Sequence, residues 1–179
     1  FFIQSGHPLV ASPESAISAF ILPAMSVRRR IVPEGPVDEV FHTNMQKVEE
    51  IASDWWGWPA DSGRREIEEF GKGTPRTTGS AMFFTGGVDS FCTLRRNQGE
   101  IKALVNVHGF DIELADKQRF ENARGMLHKV AIDLGTEMIF VATDLRSNRL
   151  FNRISWHFTS QLPRCLYIIH IYTYLMMLP

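Results

Sequence analysis

The 179 residues are 44% hydrophobic and carry 19 basic against 20 acidic side chains, a net charge of −1 at pH 7. That is material for one ordinary domain with a core, and so even a charge balance favours neither nucleic acid nor an anionic membrane as partner. Two cysteines, Cys92 and Cys165, argue against a disulfide framework or a zinc site; with no signal-peptide pattern, a reducing cytoplasm is the expected setting.

In chain order, Ser12-Pro13-Glu14 opens the first expected helix with a capping side chain, a proline at the first position and an acid near the positive end. Ala16, Phe20 and Ile21 give it an apolar stripe, and Pro23 is expected to stop it. The basic run Arg28-Arg29-Arg30 reads as a solvated turn, and Arg30-Ile31-Val32 as a short strand. Val37, Val40, Phe41, Met45, Val48, Ile51, Ala52 and Trp55 then recur at steps of three and four, the spacing of an amphipathic helix. Trp55, Trp56 and Trp58 either stack a ligand or seat the helix end against a sheet, and the second reading is preferred. Residues 59–79 are rich in Gly, Pro, Thr and charge and read as a surface connection with a strand near Ile67–Phe70. Residues 1–79 are thus expected to form an α-rich N-terminal segment with short strands and a linker.

From Ser80 the rhythm becomes strand, helix, strand, helix, strand. Ala81–Phe84, Ile101–Val107 and Glu137–Ala142 are short, bulky and apolar, as buried strands are. A helix is expected from Ala115 to Leu134, with Phe120, Ala123, Leu127, Val130, Ala131 and Leu134 inward and Gly135 just past its end. The pattern predicts an α/β fold, a parallel sheet with helices on both faces, over residues 80–162. A further helix is expected from near Ser147, carrying Trp156 and His157. Residues 163–179 form an atypical apolar tail, shorter than the ~20 residues that span a bilayer. A cut-off or misread gene end explains that tail better than a membrane anchor, so the chain is read as incomplete at both ends.

In a sheet of this kind ligands bind beyond the carboxyl ends of the strands. Three loops lie there: Thr85–Ser90, His108–Ile112 and Thr143–Arg146. The first is the most informative. Gly86 and Gly87 let main-chain N–H groups approach an anion, and the helix that follows, from Asp89 to about Arg96, adds its free N–H groups and positive end. Thr85 and Ser90 add hydroxyl donors. Asp89 is an odd neighbour for phosphate unless a cation stands between them, which makes it the candidate magnesium ligand; otherwise it caps the helix. Two other phosphate loops are excluded. Gly71-Lys72 lacks the glycine five residues earlier, where Glu66 stands, and Gly71-Lys72-Gly73 meets Arg76 at the third position of a dinucleotide fingerprint.

The segment Phe84-Thr85-Gly86-Gly87-Val88-Asp89-Ser90 resembles the Ser-Gly-Gly-x-Asp-Ser loop of the PP-loop ATP pyrophosphatases, the adenine nucleotide alpha-hydrolase-like family, with Thr85 in place of the serine. Together with Val107-His108-Gly109-Phe110-Asp111, it looks like a poorly characterised branch of that family, over Ala81–Leu145. Glu34-Gly35-Pro36-Val37 and the Trp55-Trp56 helix look like that branch's leading segment. The resemblance implies a Rossmann-like layer of the HUP type, with ATP and Mg2+ as cofactors. It also implies a substrate activated as its adenylate with release of pyrophosphate, or, as the alternative, a non-catalytic adenine-nucleotide-binding module. The glycine loop would hold the β and γ phosphates, and main-chain groups of Val107 and His108 would cradle adenine. His108 is equally an ordinary strand-end histidine, and Asp111 either accepts from a ribose hydroxyl or begins a turn. Asp144 and Arg146 are weaker candidates, and Cys92 is expected to be a half-buried helix residue rather than a nucleophile. The acceptor, a small molecule or modified base, is not identified by any residue; no DNA or membrane partner is expected.

Overall fold

The computed structural model describes residues 2–8, 12–59, 67, 69–71, 80–147 and 149. They fall into two compact units, one from residues 2–8 and 80–147, the other from the described residues between 12 and 71 together with Arg149.

The first unit is a mixed α/β layer. Its sheet contains β1 (Ile3–Ser5), β4 (Ser80–Phe83), β5 (Ile101–His108) and β6 (Glu137–Thr143) in the order β1-β6-β5-β4. The β4–β5 and β5–β6 pairs are parallel, whereas β1 runs antiparallel to β6, with Ile3 opposite Thr143. The sheet is therefore mixed, not wholly parallel as expected, because a strand from the start of the chain closes its β6 side. Three residues carry too short a pattern to announce a strand. The helices α3 (Val88–Arg96) and α4 (Lys117–Leu134) connect the parallel strands.

Helices were expected on both faces, but α3 and α4 share one. Leu94 of α3 and Leu127 and Ala131 of α4 join Met82, Phe84 and Leu104 in a single apolar cluster. The physical reason is the winding. Steps from β4 to β5 to β6 move in one direction across the sheet, and crossovers of one hand then leave their helices on one side. The opposite face carries Val105, Ile139 and Val141, each 2% exposed, so these strands are buried on both sides. Burying each such side chain contributes about 2 kcal/mol.

The helix α4 follows its sequence pattern closely. Asp116 caps it by accepting from Arg119 N at 3.1 Å, and Gly135 closes it at φ 63°. Phe120, Ala123, Leu127, Val130, Ala131 and Leu134 are all buried or half-buried.

The second unit pairs α1 (Pro13–Ser26) with α2 (Glu39–Trp56) and holds the short parallel pair β2 (Val37–Asp38) and β3 (Phe70–Gly71). Ser12 caps α1 through Ser15 N, and Asp38 caps α2 through Phe41 N. Pro23 does not stop α1, which runs three residues further. A proline removes its own N–H bond and crowds the carbonyl four residues back, but the next turn still forms, with the Pro23 carbonyl accepting from Val27 N and the Ser26 hydroxyl. Arg30-Ile31-Val32 forms no strand beyond an isolated bridge at Ile31. The inner face of α2 is narrower than expected. Phe41, Met45, Val48 and Ala52 pack inward with Ile17, Ile21 and Met25, whereas Val40, Ile51 and Trp55 are 68%, 44% and 58% exposed. Trp56 and Trp58 stack at 4.9 Å and pack on this helical cluster rather than supplying a free box. Among the described residues no helix is long and apolar enough to cross a membrane.

Candidate functional site

Phe84 continues β4 by one residue, its N–H donating to Val105 O at 2.8 Å. Its ring is fully buried and meets Phe91 of α3 edge-on at 4.9 Å, which fixes the helix to the strand end. Between them the chain turns through Gly86 at φ 78°, where an added Cβ would sit 3.3 Å from Leu127 Cδ2. Positive φ and close packing on α4 both require glycine there.

Gly87 is the N-cap of α3, with no side-chain cap hydrogen bond. This removes the capping role considered for Asp89, which is the second residue of the helix. The turn leaves main-chain donors available. Among the described residues no acceptor is found for the N–H groups of Gly86, Gly87, Val88, Asp89 or Ser90. The hydroxyls of Thr85 and Ser90 stand 3.2 Å apart, and Ser90 also donates to Gly87 O at 3.2 Å. An added Cβ at Gly87 would lie 3.5 Å from Thr85 Oγ1 and 3.9 Å from Ser90 Oγ, facing both. The turn is thus an exposed concavity of donors at the positive end of a nine-residue helix, the arrangement that takes an anion.

Asp89 is exposed at the rim of this turn, one carboxylate among donors. Among the described residues no group of three or more His, Cys, Asp or Glu side chains could hold a metal by itself. Magnesium is commonly held by one or two carboxylates completed by phosphate oxygens, so a single Asp89 fits that donor set only with a polyphosphate present.

The second loop behaves differently from the sequence reading. Gly109 has φ 108°, and its close approach is to the chain itself: an added Cβ would lie 1.9 Å from Thr143 O. His108 is 9% exposed. Its Nε2 lies 3.0 Å from Glu113 O, and its ring stacks on Phe120 at 3.9 Å with a 2° tilt. The imidazole is thereby occupied in holding loop 109–116 onto α4, and the main chain of His108 pairs with β6 opposite Ala142, so neither faces the glycine turn as the adenine reading expected. Val107 is buried in its side chain, with its main chain on the β4 side of β5. Asp111 lies in the bend spanned by the hydrogen bond from Gly109 N to Ile112 O at 2.9 Å.

In the third loop, Asp144 Oδ1 accepts from Phe2 N at 2.8 Å and so anchors the β1 segment. Arg146 donates to Phe110 O, tying the third loop to the second. The structure therefore brings the second and third loops together by protein contacts and leaves the first loop open. Cys92 is exposed on α3, not half-buried, because Leu94 alone of that helix is buried in the core. Trp156, His157 and Cys165 lie outside the described residues.

One polar residue at this edge escaped the sequence reading. Asn106, 8% exposed, donates from Nδ2 to Phe84 O at 3.0 Å. Its signal was a lone amide inside the apolar run Ile101–Val107.

Comparison with protein-family models, with curated proteins and with solved structures gives no match for this chain.

Proposed function

We propose that this protein binds ATP with magnesium at the carboxyl ends of β4 and β5 and activates a substrate by adenylation, as the PP-loop enzymes it resembles do. The observation that carries the reading is the run of five N–H groups from Gly86 to Ser90, without an acceptor among the described residues, beside the paired hydroxyls of Thr85 and Ser90. The β and γ phosphates would lie in that turn, with Asp89 holding magnesium against them. A substrate oxygen attacks the α phosphorus, the bond to the β-phosphate oxygen breaks, and pyrophosphate leaves with the electron pair. The adenylate then passes to a nucleophile on a small molecule or modified base. Such chemistry needs positioning and charge neutralisation more than an acid–base pair. The proposed compartment is the cytoplasm, which keeps the exposed Cys92 thiol reduced.

ATP–pyrophosphate exchange, run beside calorimetry with ATP, tests the reading. Binding that requires magnesium in the wild type and loses that requirement in Asp89→Ala is the expected result. Equal affinity with and without the metal in the wild type would remove Asp89 from its role. Tight binding without exchange on any carboxylate or purine-like substrate would leave a non-catalytic nucleotide module.

A further inference from the structure

The point at which β4 stops is set by a side chain. Phe84 N donates to Val105 O, so the main-chain groups of Val105 face β4. Successive residues of a strand address alternate neighbours, so the N–H and C=O of Val107 face the same side. In an uninterrupted parallel ladder the next bond would run from Val107 N to Phe84 O, and the one after from Gly86 N to Val107 O. Neither forms. Phe84 O accepts instead from Asn106 Nδ2 at 3.0 Å. The orientation of this buried amide follows from chemistry, since a carbonyl only accepts and must be met by the NH2 group.

We propose that Asn106 is a positioning residue for the nucleotide base: by occupying the Phe84 carbonyl it keeps the N–H and C=O of Val107 unpaired at the strand end. The inference rests on the ATP reading above. A main-chain donor beside a main-chain acceptor complements the adenine edge, where the N6 amino donor adjoins the N1 acceptor. Guanine presents the reverse, an O6 acceptor beside an N1–H donor, and would meet like with like. An unpaired amide is also what a leucine of similar shape at position 106 would forfeit, because Phe84 O could then take Val107 N–H.

Residue-resolved amide exchange, run with nucleotide titrations on the full chain, tests this. In the wild type the Val107 amide should exchange about tenfold or more faster than that of Val105, which has its ladder partner. In Asn106→Leu the Val107 amide should slow to the rate of Val105. The same variant should lose about tenfold in ATP affinity and its preference for ATP over GTP. Its affinity for inorganic tripolyphosphate, which uses the glycine turn alone, should stay unchanged. Asn106→Asp, equal in shape and without a donor, should lose the same base preference. A wild-type Val107 amide as protected as Val105 overturns the proposal even if neither variant folds. Variants that keep the ATP preference also overturn it. Should neither ATP nor tripolyphosphate bind the wild type, the functional reading fails, and the Val107 exchange rate still decides what Asn106 does to the strand end.

Discussion

At position 109 a φ of 108° and the Thr143 carbonyl oxygen 1.9 Å from an added Cβ leave room for hydrogen alone. Gly109→Ala is expected to cost about 3 kcal/mol or more of unfolding free energy, measured by chemical denaturation, because both the backbone and the β6 end must shift. Gly87 stands under a different constraint. Its φ of −79° suits any residue, and an added Cβ meets only the Thr85 and Ser90 hydroxyls at ordinary contact distances. Gly87→Ala should therefore change stability by less than about 1 kcal/mol. It should still weaken ATP binding about tenfold or more in calorimetry, since a methyl group then occupies the concavity between the hydroxyls. Unchanged ATP affinity in that variant would mean that the turn does not face the phosphates. The contrast also marks how much of the site the sequence disclosed. The Thr85–Ser90 turn is built from neighbours, so its shape was readable locally. The partners of Gly109, His108 and Asn106 are Thr143, Phe120 and Phe84, each brought near by the fold, and no local pattern names them.

The two long helices divide on the same principle. In α4 the spacing of Phe120, Ala123, Leu127, Val130, Ala131 and Leu134 marked the inward side, although Met126 and Ile132 on the same helix are each 65% exposed. In α2 the apolar residues spread around more of the circumference, and two stripes were available to the eye. One holds Val40, Ile51 and Trp55; the other holds Phe41, Met45, Val48, Ala52 and Trp56. Contact with Ile17, Ile21 and Met25 of α1 selects the second stripe. The capping chemistry, by contrast, is local, and Ser12 at α1 performed as its neighbours Pro13 and Glu14 foretold. Glu14 does more than charge the helix end: it is 8% exposed and its Oε1 accepts from Asp38 N at 2.9 Å, bonding the α2 cap residue to α1. Truncation experiments separate the stripes. Met45→Ala should cost about 2–4 kcal/mol by denaturant unfolding, as it empties a site 4% exposed. Val40→Ser should stay within about 0.5 kcal/mol, as its side chain is mostly in solvent. Reversed magnitudes would place Val40 rather than Met45 against α1.

Across the whole molecule, the direction of winding decides where a ligand can sit. Strands β4, β5 and β6 follow one another in one direction, so these three parallel strands contain no reversal of order. The crevice that such a reversal provides is the usual ligand site of open α/β sheets. Here the edge is opened another way: β4 ends at Phe84 while β5 continues to His108, and the unmatched length of β5 stands beside the glycine turn. Step, turn and helix end all belong to the sheet-containing unit, whereas α1 and α2 belong to the other. That division gives a test that needs no substitution. At a free ATP concentration a hundred times its dissociation constant, the unit that binds should gain about 2.7 kcal/mol against unfolding. Hydrogen exchange with ATP and magnesium should show slowed amides at residues 86–90, at Val107, and through β4–β6, with α1 and α2 unchanged. Slowing centred on α1 or α2 would place the ligand in the helical unit and leave the step at Phe84 without its proposed purpose. Slowing confined to residues 86–90 would mean that phosphate is held while the base makes no contact with β5.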